Sequence, residues 1–381
     1  MTRIRSTHVA LVLWASALCA LAPASTIAGD FAVTVLSYTP APGQFVNIAM
    51  FNNPARALGP PIGAGTITPD NTGVVTLGGF GGSLVLAFDH PVLDDPRNAH
   101  GLDFIVFGNA FWSNGDPLSR FGEAAVIEIS LDANANGLPD DPWFLIPGSH
   151  LTPPVARQTQ DWDNDPATAT PPATLSWYPA GAPSPMTTSA FGLPAAFETF
   201  ILVNPRTDGG ETFLGYGDLS PTLILGDLTG ATGAPADNSL TDPEDNPAVS
   251  PVAFYTVPDD PTTVGIDPGS GGGDAFDIAH AVDPATGAPA NLPGFDFIRL
   301  TNGVNFVGFL GEVSPEIDAV ADVRPPGSPS DLNGDGLVNG ADLAIVLNAW
   351  GARVSIADMN ADGVVNGADL AAVLNSWSPG P

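Results

Sequence analysis

Two segments repeat at a spacing of 27 residues between positions 331 and 377. Asp331 to Trp350 reads D-L-N-G-D-G-L-V-N-G-A-D-L-A-I-V-L-N-A-W. Asp358 to Trp377 reads D-M-N-A-D-G-V-V-N-G-A-D-L-A-A-V-L-N-S-W, and seven consecutive residues, V-N-G-A-D-L-A, are identical. Each segment sets oxygen-bearing side chains at positions 1, 3 and 5, glycine at 6, and further oxygen donors at 9 and 12. Alternate residues of a tight loop converge on one centre, and the glycine permits the sharp turn. That spacing is the pattern of a twelve-residue calcium loop. The first loop offers Asp331, Asn333, Asp335, the Leu337 carbonyl, Asn339 and Asp342. The second offers Asp358, Asn360, Asp362, the Val364 carbonyl, Asn366 and Asp369. Leu343, Val346, Leu347 and Trp350 then recur at i, i+3, i+4 and i+7, as do Leu370, Val373, Leu374 and Trp377. Each set predicts a short amphipathic helix, with its stripe as core.

A loop followed by one helix, Asp rather than Glu at position 12, and tandem repetition together resemble a type I dockerin over about 49 residues. The resemblance implies a small α-helical module over 331–381 that binds two calcium ions. It also implies a partner, a cohesin-like domain of a scaffold or surface protein. In the familiar cellulosomal type, hydroxyl residues at positions 10 and 11 read the partner. Here Gly340-Ala341 and Gly367-Ala368 hold those partner-binding positions, so the resemblance does not extend to a cellulosome.

Upstream, Pro325-Pro326-Gly327-Ser328-Pro329 reads as a stiff linker, residues 325–330. At the other end, Arg3 and Arg5 precede an apolar run from Val9 to Leu21 and an A-x-A site at Ala22-Pro23-Ala24. The run is too short to span a bilayer, so residues 1–28 are expected to be a signal peptide and the protein secreted, with no transmembrane segment in the mature chain. Cys19 is the only cysteine and lies inside that run, which excludes an internal disulfide, a cysteine zinc finger and an iron–sulfur cluster.

Residues 29–324 carry recurring apolar runs of four to eight residues: 82–88, 102–107, 124–131, 200–203, 295–300 and 305–310. They are rich in β-branched and aromatic types and bounded by turn residues. Gly and Pro together number 83 of 381 residues, yet 44% of the chain is hydrophobic, which is turn-rich but not disordered. The expectation is a mainly β protein: one large antiparallel β-sandwich of jelly-roll type, then the small helical module.

One loop in this region stands apart. Asp132 to Asp141 reads D-A-N-A-N-G-L-P-D-D, with Asp132, Asn134 and Asn136 at positions 1, 3 and 5 and glycine at 6. Position 12 is Trp143, so Asp140 or Asp141 would have to close a metal site. It resembles the short calcium loops of thrombospondin type 3 repeats; an Asx-rich hairpin turn is the other reading. Stretches in fixed order also resemble an exported bacterial cell-surface family of undetermined activity. They are 78–91, 103–111, 143–149, 272–283, 292–300 and 309–317. That resemblance implies an exported β-rich domain and brings no catalytic residues.

Charge and missing residues exclude much chemistry. All ten basic residues are arginine against 41 acids, a net charge of −31. Nucleic acid is therefore excluded as a partner, and the absence of lysine removes Schiff-base, P-loop and Ser-Lys chemistry. No G-x-S-x-G or H-E-x-x-H occurs. His90, His100, His150 and His280 are scattered. Paired carboxylates for glycoside hydrolysis are harder to exclude, since their separation is spatial, and Glu128 and Glu312 are the candidates. Trp112, Trp162, Trp177 and Tyr178 stand in or beside loops, where aromatic faces stack on sugars; core packing is the other reading, and the commoner one for such residues. The reading is a secreted calcium-binding surface protein, docked through its dockerin, whose β-sandwich binds, a polysaccharide included, or serves structurally without catalysis. The alternative is a dockerin-bearing polysaccharide hydrolase.

Overall fold

The computed structural model describes residues 29–378 except 42–44, 80, 113–114, 116, 118, 124, 147–200, 204–215, 229–239, 241, 244, 261–264, 303–306, 309–310 and 313. The expected signal peptide, His150, Trp162, Trp177 and Tyr178 lie outside the described residues. In chain order the strands begin with β1 (Thr34–Thr39), β2 (Val75–Thr76), β3 (Ser83–Leu93), β4 (Phe104–Gly108) and β5 (Phe111–Trp112). They continue with β6 (Ser119–Phe121), β7 (Ala125–Ser130), β8 (Phe144–Leu145), β9 (Ile201–Val203) and β10 (Tyr216–Gly217). The last are β11 (Asp274–Phe276), β12 (Gly294–Asn302), β13 (Val307–Gly308), β14 (Gly311–Glu312) and β15 (Glu316–Asp322). The helices are α1 (Pro251–Tyr255), α2 (Gly340–Asn348) and α3 (Gly367–Asn375).

Two antiparallel sheets dominate. One runs β1-β3-β12-β7-β10, with β8 also on β7; the other runs β11-β4-β15-β2. Late strands insert between early ones in both, as jelly-roll connections do. β12 pairs with β3 and β7 through Ile298, which faces Leu86 on one side and Ile129 on the other. The sheets pack face to face: Leu84, Leu86, Ile127, Ile129, Ile298 and Leu300 of the first share one core with Phe104, Val106, Ile317 and Val320 of the second. The Phe104 ring stacks on Phe276 with centroids 5.2 Å apart and meets Phe295 edge-on at 5.1 Å.

The second sheet is covered on its outer face too. Ile105, Phe107, Ala319 and Ala321 pack there with Trp112, Leu223, Phe254 and Tyr255. A strand buried on both faces cannot alternate polar with apolar residues, which accounts for the unbroken F-I-V-F of β4. Helix α1 supplies part of that cover; Ser250 caps it by accepting from the Ala253 amide, and Pro251 starts it. Trp112 is 2% exposed inside this layer, which decides between its two readings in favour of core packing over a loop aromatic available to sugars.

The C-terminal module has its own core of Leu332, Val338 and Val346 from one repeat and Ala357, Val365 and Val373 from the other. Its helix stripes are not core throughout. Val346 and Val373 are fully buried, but Leu347, Trp350, Leu374 and Trp377 are each about half exposed (54%, 52%, 53% and 44%). Nine-residue helices in so small a module have only one inward line, and the i+4 and i+7 residues rotate off it. Ser330, at the end of the Pro-rich stretch, is buried and its hydroxyl lies 3.2 Å from that of Ser376. Among the described residues no helix is long and apolar enough to cross a membrane.

Candidate metal loops and docking surface

The two repeated loops fold alike because their side chains hold their own backbone. Asp331 accepts from the amides of Asp335 (3.1 Å) and Gly336 (2.7 Å). Asp358 does the same with Asp362 (3.2 Å) and Gly363 (2.9 Å). The position-5 carboxylates, Asp335 and Asp362, accept from Leu337 (2.9 Å) and Val364 (3.1 Å). Positions 4 and 6 need positive φ: Gly334 (69°) and Gly336 (85°) in one loop, Ala361 (51°) and Gly363 (90°) in the other.

Position 12 closes each loop from inside the helix. Asp342 is fully buried and accepts from the amides of Leu332 (2.8 Å), Asn333 (3.2 Å) and Asn339 (2.8 Å). Asp369 takes Met359 (2.9 Å), Asn360 (3.4 Å) and Asn366 (2.8 Å). Asn339 and Asn366 are the helix N-caps, and each forms a reciprocal capping box with its buried Asp. One residue type thus serves as cap partner and as candidate ligand. Burial and the neighbouring carboxylates of Asp369 and Asp362 push the Asp358 carboxyl up, while the Asn360 and Asn366 amides hold that of Asp362 down.

The repeats embrace reciprocally. The Gly351 amide donates to the Val365 carbonyl at 2.9 Å, and the Ser378 amide donates to the Val338 carbonyl at 2.9 Å. These pairs exchange under a shift of 27 residues, which is the signature of a pseudo-twofold axis. On each helix, Gly340, Ala344 and Leu347, or Gly367, Ala371 and Leu374, stand at i, i+4 and i+7 and are all exposed. Ala341 and Ala368 are exposed beside them. Each repeat therefore presents the same small-residue strip ending in leucine.

The Asp132 loop reproduces the same frame. Asp132 accepts from Asn136 (3.0 Å) and Gly137 (2.7 Å), and the Asn136 side chain accepts from Leu138 (2.7 Å). Ala135 and Gly137, positions 4 and 6, have φ of 59° and 73°. Asp141 accepts from the position-2 amide of Ala133 at 3.2 Å, the place that Asp342 and Asp369 fill in the longer loops. Asn134 contacts both Asp140 and Asp141 at 3.3 Å, and Asn136 reaches Asp140. All five residues singled out in this loop are thus brought together, with Asp141 as the closing carboxylate.

The glycosidase candidates lie on strands of different sheets. Glu128 faces Arg299 across β7 and β12, with the guanidinium donating to it at 2.7 Å. Arg299 lies over the Trp143 ring at 4.3 Å. Glu312 sits on β14 in the β13–β14 hairpin. Two clusters escaped sequence reading because their members are far apart in the chain. They are His100 with Asp260 and Asp267, and Asp94 with Asp103 and Asp277.

No curated protein matches this chain. Residues 329–376 match the family model of the dockerin type I domain, covering both loops and both helices. Type I dockerins bind calcium and dock onto cohesin domains, and their proteins are typically extracellular or held at the cell surface. The reciprocal repeat, the twin loops and the family match together make residues 329–376 of this chain a type I dockerin.

Proposed function

We propose that the chain is a secreted, calcium-dependent docking protein. Its dockerin holds two calcium ions, one through Asp331, Asn333, Asp335, Leu337, Asn339 and Asp342, the other through Asp358, Asn360, Asp362, Val364, Asn366 and Asp369. Asp132, Asn134, Asn136, Asp140 and Asp141 hold a third on the large domain. That domain is a non-catalytic β-sandwich with a binding or structural role. The observation that carries the reading is the frame common to all three loops. In each, the first carboxylate ties down amides 5 and 6, positive φ falls at positions 4 and 6, and a later Asp takes the amide of position 2. A frame of this kind supports the reading because a calcium loop needs its backbone held so that alternate oxygens can converge on one ion.

The docking face is the Gly340–Ala341–Leu347 strip and its copy, Gly367–Ala368–Leu374. Small residues let a partner's surface come close, and two equivalent strips let it bind in either of two orientations. The test uses the full chain and a panel of type I cohesin domains. Calcium-dependent capture is expected, retained by Leu347→Asp or Leu374→Asp alone and lost in the double variant. Asp132→Ala, Asp331→Ala and Asp358→Ala should each remove one bound calcium. Calcium counts unchanged by these substitutions would refute the loop assignment.

A further inference from the structure

At the end of the sandwich where β3 passes to β4, three carboxylates meet outside the loops above. β4 and β11 pair antiparallel with Phe104 opposite Phe276, so Asp103 and Asp277 come next in register, opposite each other. Like charges placed opposite one another across strands are destabilising, and Asp103 is only 1% exposed. Asp94, the residue after β3, joins them: one carboxylate oxygen from each lies within 4.8 Å of the other two.

Neighbouring groups neutralise only part of this charge. Asp103 accepts from the Asp95 amide (3.0 Å), the Asn98 side-chain amide (3.0 Å) and the Ile278 amide (2.9 Å). Asp277 accepts from the Ala279 amide at 2.7 Å. Arg97 is committed elsewhere, gripping Asp95 at 2.6 Å and the Asp331 carbonyl at 3.0 Å. His280 stands 3.8 Å from Asp277.

A separate observation points to a ligand. Asn98 is 5% exposed and its amide nitrogen rests on Asp103, yet its Oδ1 is buried with no hydrogen-bond partner. His280 Nδ1 is likewise buried without one. A buried amide oxygen left unpaired is destabilising. An unused carbonyl oxygen on a side chain already bonded to one of three converging carboxylates fits the donor chemistry of a hard divalent ion. From this geometry we infer that Asp94, Asp103 and Asp277, with the Asn98 side-chain oxygen, form a further calcium site that ties the end of β3 to β4 and β11. His280, paired with Asp277, orients that ligand from behind.

The site is tested on the full chain, with and without Asp132→Ala, Asp331→Ala and Asp358→Ala in combination. Bound calcium is counted after equilibrium dialysis, and thermal unfolding is followed in calcium and in chelator. One calcium is expected to remain when the three loops are disabled. Asp94→Asn with Asp277→Asn should remove one ion from either background. The same pair should raise the melting temperature in chelator, where repulsion is relieved, and lower it in saturating calcium. Asp277→Asn alone, at the less buried rim, should weaken this ion by about tenfold or more while the chain stays folded. No residual ion in the loop-disabled chain would overturn the inference. So would an ion that survives the Asp94/Asp277 pair, or a melting temperature raised equally in both conditions. The loop substitutions by themselves test the docking reading, so the two can fail separately.

Discussion

Asp342→Ala separates what the buried carboxylate does for the fold from what it does for the metal. Asp342 is fully buried and accepts three backbone amides, at 2.8, 3.2 and 2.8 Å. Each hydrogen bond to a charged acceptor is worth roughly 1.5–3 kcal/mol. Taking the low end and halving the longest bond gives about 3–4 kcal/mol. A core this small supplies only about 3–5 kcal/mol in total, so the substitution removes most of the module's stability. Hydrogen exchange on the full chain reads this directly. At about 1.4 kcal/mol per decade, α2 amides should exchange at least about 100-fold faster in chelator, before any lost ligand contributes. In calcium the acceleration should be larger, because a ligand is lost as well. Helix α3 should lose protection together with α2, since Val346 shares its core with Val365 and Val373 and the Gly351–Val365 bond crosses the repeats. Asp369→Ala should behave as its mirror. An acceleration below tenfold, or one confined to α2, would refute the reasoning.

His90 sits between Asp322 (3.0 Å) and Asp89 (2.8 Å), both acceptors, so both ring nitrogens must donate and the ring is held as the cation. Burial opposes the charge, but the Asp322 and Asp89 carboxylates outweigh it and raise the His90 pKa to about 9. A raised histidine pKa stabilises the fold fully below about 6.5, and the contribution is lost as pH rises through about 9. Denaturant titrations should therefore show a loss of roughly 3 kcal/mol between pH 6 and 10 that His90→Gln abolishes. Gly273 has φ of 78°, and a Cβ there would lie 2.6 Å from Phe107 Cδ1 and 2.8 Å from Ile105 Cγ2. Gly273→Ala should cost about 2–4 kcal/mol, from left-handed strain plus overpacking, read as a lower urea midpoint.

The repeated loops were legible because their candidate ligands are local: alternation within twelve residues announces the pattern. The strands were most legible where burial on both faces made them continuously apolar, as in β4. β15 was not read as a strand. Its E-I-D-A-V-A-D alternates acids with apolar residues, yet Asp318 is 1% exposed and accepts the amides of Ile62 and Gly63, partners some 255 residues away. The end of β3 was hidden by Asp89, His90 and Pro91, whose ion pairs and edge geometry are tertiary facts. Helical periodicity correctly located α2 and α3 but not which of their apolar residues face inward, because that depends on how small the module is. The Asp94–Asp103–Asp277 cluster exists only through strand pairing, so no local pattern announces it.

A chain with ten arginines and 41 acids must neutralise buried carboxylates by other means. The described residues use four. Arginine pairs take Asp95, Glu128 and Asp30. A charged histidine serves Asp322. Backbone amides serve Asp218, which accepts from Asn109, Ala110 and Glu316. Protonation is the fourth: burial raises the Asp318 carboxyl to about 7 despite its two amide partners. Each of these serves one carboxylate at a time, or two at His90, whereas a divalent ion neutralises several together. Under the proposed sites, each ion at a hundredfold excess over its Kd adds about 2.7 kcal/mol to the folded state. An acid-rich composition that would destabilise this fold without calcium therefore ties both its stability and its docking to the calcium concentration around it.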